Sequence, residues 1–372
     1  MNLFFHLGRT TKMNNKQKLF IINGAQFGYS SGHYFYCKYL VEKFSINYIC
    51  FDRGLNRVVL EGVNVSYVSF TGSKLIRILR FLKECIRLSY SLKPHVLFVT
   101  YFNNCFLLAL FCKSKKTVLD IRTGSLKKSR LFRRIDNFVV KFQSLFFDGV
   151  IILSESLRKK LSIPRKKSNV VPLGSEIFFT GNHNFNSLNL LYVGSLDNRS
   201  ITETIKGLHW FLKTNEGKNI KVNYSIVGFG SNNETTKILN MISDLGLSGS
   251  VAYTGRKNYE ELTTYFEHSN IGIVFVPQTP WYDCQPVTKL FEYILAGMPV
   301  IATNTYENRL IVNNANGILI NDTAEDFCNG LMAIYNHRNS FNSGEIRKSG
   351  ESYTWANIVN NRMRPYLERI AE

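Results

Sequence analysis

Lys289 and Glu292 stand three residues apart behind Pro286, Val287 and Thr288, in the stretch DCQPVTKLFEYILAGMPVIATN that runs from Asp283 to Asn304. Three residues is nearly one helical turn, so a cation and a carboxylate at that spacing share a face. The segment reads as a helix from Pro286 to Ala296, entered through Pro286 and stopped at Gly297, with Pro299 opening a short apolar strand. The first amides of a helix have no intrahelical partner and lie at the positive end of its dipole, so a loop feeding a helix start is a ready anion site. Lys289 adds a full charge there, and Glu292 is placed to accept hydrogen bonds from ribose hydroxyls. The combination suits a nucleotide; the plainer account is an amphipathic helix ahead of a buried strand in any α/β protein.

Two further groups have the chemistry to act on a ligand. Asp120 and Arg122 alternate with Ile121 on a strand that runs into the turn Thr123-Gly124-Ser125, so they share a face at the carboxyl edge of a sheet, where ligands bind in such folds. They either orient an acceptor hydroxyl or phosphate as catalytic groups, or form a structural ion pair. Near the start, the strand KLFIIN leads into the loop GAQFGYSSGHYF with Gly24, Gly28 and Gly32 and then into a helix. Strand, glycine-rich turn and helix open a doubly wound fold, although the glycine spacing is not a dinucleotide fingerprint. His33 either touches substrate there or is solvated or capping at a helix start.

These groups need a scaffold, and the apolar pattern supplies one. Short apolar strands alternate with helical stretches along the whole chain, which predicts parallel sheets covered on both faces. Strands Leu188–Gly194, Val222–Gly228 and Val251–Gly255, the last followed by Arg256, each end in glycine. The polar stretch from Gly181 to Asn189 reads as a linker, and the tail from Tyr353 to Glu372 is helical by pattern. At 372 residues the chain suffices for two domains, placed at 18–178 and 187–350, with 351–372 as a closing helix. No apolar run reaches membrane-spanning length, and the first 18 residues are too broken in their apolar part for a secretory signal, with Met13 an alternative start. Seven cysteines without a CxxC pair point to a reducing cytoplasm, and no ligand spacing implies a metal.

The net charge of +19 is unevenly spread: up to residue 180 there are 30 Lys and Arg against 9 Asp and Glu, and in the remainder 16 against 18. The first half therefore favours an anionic partner such as membrane lipid, polyphosphate or nucleic acid. Two basic amphipathic stretches, KLIRILRFLKECIRLSY and LKKSRLFRRIDNFVVKFQSLFF, either cover the core or lie in a membrane interface. Two of them in one basic domain favour peripheral association with an anionic membrane surface, and nucleic acid is the weaker partner.

Pro286-Val287-Thr288-Lys289-Leu290-Phe291-Glu292-Tyr293, followed by Ala296-Gly297-Met298-Pro299-Val300-Ile301-Ala302, resembles the donor-site signature of retaining glycosyltransferases of family 4, of bacterial surface-polysaccharide type. The resemblance implies the GT-B fold, two Rossmann-like domains with parallel sheets facing a central cleft. It implies a donor site at Gly194, Arg199, Gly228, Gly255, Arg256, Val287, Thr288, Lys289, Leu290 and Glu292, with Arg199 and Lys289 on the diphosphate. It implies an acceptor site near Gly28, Ser31, Gly32 and His33, and a closing helix that returns to the first domain. The family often carries a second glutamate eight positions before Glu292, where Cys284 stands here with Asp283 beside it as a substitute. Ser195 likewise stands where the family has an arginine.

The expectation is a metal-independent hexosyltransferase, needing no cofactor beyond a UDP- or GDP-linked donor and acting on a lipid-linked or polysaccharide acceptor at the inner membrane face. Its rivals are a nucleotide-sugar epimerase on the same fold and a non-catalytic membrane or nucleic-acid binder.

Overall fold

The computed structural model describes residues 16–372, so the opening segment read for a signal and for Met13 lies outside the described residues. The inner strands of the first domain come from short apolar runs such as LFII, VLFV and VII, the pattern of a sheet buried on both faces, while its edge strands VNVSYVS and SNV are mixed and half-buried. Its elements are β1 (Gln17–Ile22), α1 (Ser31–Leu40), β2 (Phe44–Asp52), β3 (Val63–Ser69), α2 (Lys74–Leu92) and β4 (Val96–Thr100). There follow α3 (Phe106–Phe111), β5 (Lys116–Ile121), α4 (Arg130–Ser144), β6 (Gly149–Ile152), α5 (Glu155–Lys160) and β7 (Ser168–Val170). All strands pair in parallel, in the order β3-β2-β1-β4-β5-β6-β7. The order reverses between β1 and β4, which gathers the loops after β1, β4 and β5 at one crevice.

The second domain repeats the plan with six parallel strands in the order β10-β9-β8-β11-β12-β13. It comprises β8 (Ser187–Ser195), α6 (Ile201–Phe211), α7 (Asn215–Lys218), β9 (Lys221–Phe229), α8 (Asn232–Asp244), β10 (Val251–Gly255) and α9 (Tyr259–His268). Then come β11 (Ile271–Val274), α10 (Thr288–Leu295), β12 (Val300–Thr303), α11 (Tyr306–Arg309), β13 (Gly317–Ile320) and α12 (Ala324–His337). After α13 (Ser343–Gly350), the short helix α14 (Trp355–Ile358), a π turn over Val359–Met363 and α15 (Arg364–Ala371) close the chain.

That tail packs into the first domain rather than the second. Trp355, Ile358, Met363, Tyr366 and Leu367 are buried among Phe35, Tyr36 and the β1–β4 side chains, with Trp355 stacked on Phe35 at 5.7 Å. A buried indole of this kind contributes more apolar area than almost any other side chain, so the chain end fastens the two sheets into one body.

Two readings of the sequence change. Helix α10 starts at Thr288, not Pro286, because Val287 is extended (φ −110°, ψ 134°) and Gln285 is held outside the helix by Thr123 of the first domain. The two basic helices also differ from each other. In α2, Phe81, Leu82 and Cys85 are buried, while Leu75, Ile76 and Leu79 of the first turns and Tyr90 of the last are exposed. In α4 the buried residues are Val140, Gln143 and Ser144, while most of its large apolar side chains face solvent. Among the described residues no helix is long and apolar enough to cross a membrane.

Candidate active site

Strand β8 ends in Gly194 at φ +141°, a conformation L side chains rarely adopt, and a Cβ there would sit 3.3 Å from the Lys289 ammonium. The parallel register sets Gly194 beside Gly228 of β9, where a Cβ would collide with the Gly194 carbonyl. Bare backbone at both strand ends therefore leaves the space that Lys289 occupies. Tyr293 fixes this turn by accepting the Val193 amide at 2.9 Å, and the Tyr192 hydroxyl donates to the Ser195 carbonyl at 2.6 Å.

Helix α10 begins behind Val287 with no side chain capping its first amides. Its opening turn borders a cavity of about 370 Å³ lined by Val193, Gly194, Ser195, Arg199, Tyr282, Gln285, Pro286, Val287, Thr288, Lys289 and Glu292. Leu126 of the first domain completes the wall, so the cavity lies between the domains.

The electrostatics of this cavity are unusual. Lys289 is buried, its Nζ has no hydrogen-bond partner among the described residues, and the ammonium lies 3.5 Å from the centroid of the Tyr192 ring. Burial, and then the nearby charge of Arg199, hold its pKa well below the usual lysine value, with Glu292 acting in the opposite direction. Burial likewise pushes the Glu292 carboxyl up to about 7 against the pull of Lys289. The Arg199 guanidinium stacks over the Tyr282 ring at 4.5 Å. A buried cation without an ion-pair partner is costly on its own, and a site that holds such a cation next to the partly exposed Arg199 and uncapped helix amides is complementary to a polyanion.

The remaining donor-side candidates are distributed around this point. Leu290 turns its side chain into the core beside Tyr293, and only its neighbours Val287, Thr288 and Lys289 border the cavity. Gly228, Gly255 and Arg256 sit at the adjoining strand ends outside the lining, with Arg256 over the Phe229 ring at 5.0 Å. Cys284 faces away: its thiol is packed among first-domain side chains, 3.3 Å from Lys160 Nζ, and its carbonyl accepts from Ser154 at 3.3 Å. Asp283 does not replace it at the cavity, because its carboxylate accepts the Tyr306 amide at 2.7 Å at the start of α11. The side chains of this loop that do line the cavity include Tyr282 and Gln285, the latter with its amide donating to Thr123 Oγ1 at 2.8 Å across the domain boundary. Sequence reasoning missed Gln285, Tyr282 and Leu126; the aromatic pair Trp281-Tyr282 in an otherwise polar loop was the available signal.

In the first domain the candidates form a different arrangement. His33 is buried, with Nδ1 2.8 Å from Ser30 Oγ and Nε2 2.7 Å from Thr100 Oγ1 and 3.2 Å from Asp120. It is thus neither solvated nor a helix cap. Asp120 has no exposed surface, and Arg122, 3.6 Å away, donates to the Val171 carbonyl at 3.0 Å. The pair is a buried ion pair with His33 as third member, and none of the three lines the donor cavity. Gly28, at φ +89°, borders a separate cavity of about 500 Å³ with Tyr34, Phe35 and Lys38 of α1. Gly32 lies against Trp355 at a Cβ distance of 3.5 Å, and the side chain of Ser31 lies outside the described residues.

Two Rossmann-like domains, each with a wholly parallel sheet, and a cavity between them define the GT-B architecture. Residues 187–337, covering the second sheet and its helices, match the family model described as Glycosyl transferases group 1. Among solved structures the chain resembles sucrose-phosphate synthase from Thermosynechococcus elongatus, with a TM-score of 0.75 at 15% identity over 96% of this chain and 100% of that one. It also resembles a glycosyltransferase from Rickettsia africae, with a TM-score of 0.73 at 14% identity over 96% and 99% of the two chains. Anabaena Alr3699/HepE, solved in complex with UDP, gives a TM-score of 0.72 at 13% identity over 95% and 100%. No curated protein sequence matches. Over residues 187–337 the chain is similar to group 1 glycosyltransferases, and the whole chain has the GT-B fold.

Proposed function

We propose that the protein is a retaining, metal-independent hexosyltransferase that moves a sugar from a UDP- or GDP-linked donor to a hydroxyl of a lipid-linked or polysaccharide acceptor in bacterial surface glycan synthesis. The observation that carries the reading is the buried, unpartnered Lys289 ammonium beside Arg199 and the uncapped start of α10, all at one interdomain cavity. As a glycosidic bond to a diphosphate breaks, negative charge grows on the leaving group, and charges fixed in advance in a water-poor site stabilise it most. Lys289, Arg199 and the Thr288 amide are so fixed. A diphosphate docked there returns to Lys289 the counter-charge that burial denies it, and its pKa rises accordingly.

Glu292, the one carboxylate lining the cavity, sits a helical turn from Lys289, where a ribose would follow the phosphates. With Glu292 so engaged no side-chain base remains in the lining, which fits transfer in which a donor phosphate oxygen takes the acceptor proton and configuration is retained. Gln285 is the polar side chain between the phosphate end and the first domain, placed to contact the transferred sugar. Support for a uridine donor comes from the UDP bound by the Anabaena structure.

The test is a panel of nucleotide sugars screened for thermal stabilisation, followed by mass spectrometry of the products with and without an acceptor extract. Stabilisation by one nucleotide sugar and sugar transfer that needs acceptor are expected. Conversion of the donor without acceptor would identify an epimerase instead, and no response to any nucleotide sugar would end the reading.

A further inference from the structure

Helix α4 is turned inside out relative to an ordinary surface helix. Val140, Gln143 and Ser144 face the domain, while Leu131, Phe132, Ile135, Phe138 and Phe142 face outward with exposures of 64, 57, 49, 66 and 46%. At 3.6 residues per turn these five fall within an arc of roughly 120° opposite the buried face. The patch continues onto α3, where Leu110 and Phe111 are exposed, through Phe146 just beyond the end of α4, whose ring lies 5.1 Å from Phe106 of α3 and 5.3 Å from Phe142 of α4. Contiguous apolar surface of this extent is rare on a protein that meets only water, and marks a docking face.

Charge decides the occupant. Arg130 and Arg134 are exposed and border the apolar arc, with Lys128 just ahead of the helix. The single acid on α4, Asp136, is already engaged by Ser125 and Lys127 at 2.8 and 3.1 Å. A second copy of the chain would bring the same cations against these, which opposes self-association. An anionic bilayer accepts both halves of the pattern, with phenyl and isobutyl groups entering the acyl boundary and guanidinium groups meeting phosphates.

We propose that the outward face of α4, extended by α3, is the surface by which this protein docks on an anionic lipid bilayer. The site lies close to the cleft. Val139 and Asp136 line a cavity of about 490 Å³ together with Thr123, Ser125 and Asn103, and Thr123 also holds Gln285 of the donor cavity. A bilayer on α4 thus puts that cavity at the lipid surface, beside the donor site. That the docking delivers a membrane-anchored acceptor head group there rests on the transferase reading; the docking itself does not.

The experiment is co-sedimentation of the full chain with phosphatidylcholine vesicles, with and without phosphatidylglycerol, run beside Leu131→Ser/Phe138→Ser and Arg130→Gln/Arg134→Gln. All four side chains are exposed, so both variants keep the fold, and unchanged melting temperature verifies it. The wild type is expected to sediment only with phosphatidylglycerol vesicles, and each double variant to bind them at least about tenfold more weakly. Wild type left in the supernatant, or the apolar variant binding as the wild type does, would overturn the proposal. So would a dimer in light scattering that the apolar variant dissolves, or single-stranded RNA binding that displaces the vesicles. Vesicle binding that persists in a protein unresponsive to nucleotide sugars would remove the transferase reading and leave the docking intact.

Discussion

At the carboxyl end of β5 the buried Asp120 carboxylate lies 3.2 Å from His33 and 3.6 Å from Arg122, while at the start of α10 the buried Lys289 ammonium has an aromatic ring beneath it and, among the described residues, no hydrogen-bond partner, with Glu292 a helical turn away. Both charges sit at sheet crevices in domains of the same plan and neither has a hydrogen-bond partner among the described residues, yet the first has a guanidinium and an imidazole within ion-pair distance and the second has no such neighbour. Enclosed between those two groups, the Asp120 carboxylate has no exposed surface. Unmatched, Lys289 costs the folded state something in isolation and gains most from an anion. A buried charge that the chain leaves unanswered therefore marks where a ligand of opposite sign belongs, and a buried charge that it answers marks architecture.

The comparison breaks most visibly through Asp120→Ala. Removing one member of a buried ion pair leaves Arg122 uncompensated, so a loss of about 3–5 kcal/mol in urea denaturation is expected. An unaltered unfolding midpoint would show that the group is not structural and would return Asp120 to the list of catalytic candidates.

Little of this division could be read from residue order alone. The α10 segment was legible because Thr288, Lys289 and Glu292 are sequence neighbours, and helical periodicity places neighbours without help from the rest of the fold. Asp120 and Arg122 were likewise seen to share a face. That His33 joins them from 87 residues away depends on β1 lying next to β4, and β4 next to β5, which no local pattern specifies. Gln285 was hidden for the same reason, since its role is set by Thr123 in the other domain. For α4 the amphipathic pattern was plain but its sense was not, because periodicity gives the width of an apolar face and not which side the sheet will cover.

Glu292→Gln sharpens the contrast at an intermediate scale. The Glu292 pKa, raised by burial to about 7 from an unfolded value near 4.5, means that ionisation is resisted in the folded protein. Its contribution to stability is whole below pH 4.5 and is lost as the pH climbs to 7, so the wild type carries a penalty at pH 8 that the amide lacks. The variant should be more stable than the wild type by about 3 kcal/mol at pH 8 and equal to it at pH 4.5. A difference that does not change with pH would mean that Glu292 is ionised at no cost.

Smallest is the effect of losing one of several hydrogen bonds between the domains, which also include those of Ser154 and Lys160 with Cys284. Thr123→Val removes the hydrogen bond to Gln285, which is worth about 1 kcal/mol, and leaves the donor cations in place. Nucleotide affinity is expected to hold within about threefold while solution scattering shows a more open particle. Loss of nucleotide binding on the scale of a cation deletion would place the binding energy at the domain boundary instead of at α10.

The central claim is tested most directly by titrating UDP and GDP calorimetrically into the wild type and Lys289→Met. Methionine keeps the buried volume and removes the charge, so the unliganded variant should be at least as stable as the wild type. With its fold intact the variant is expected to bind nucleotide at least about thirtyfold more weakly, or roughly 2 kcal/mol. Equal affinity in the two proteins would contradict the account, since the diphosphate would then rest somewhere other than at Lys289.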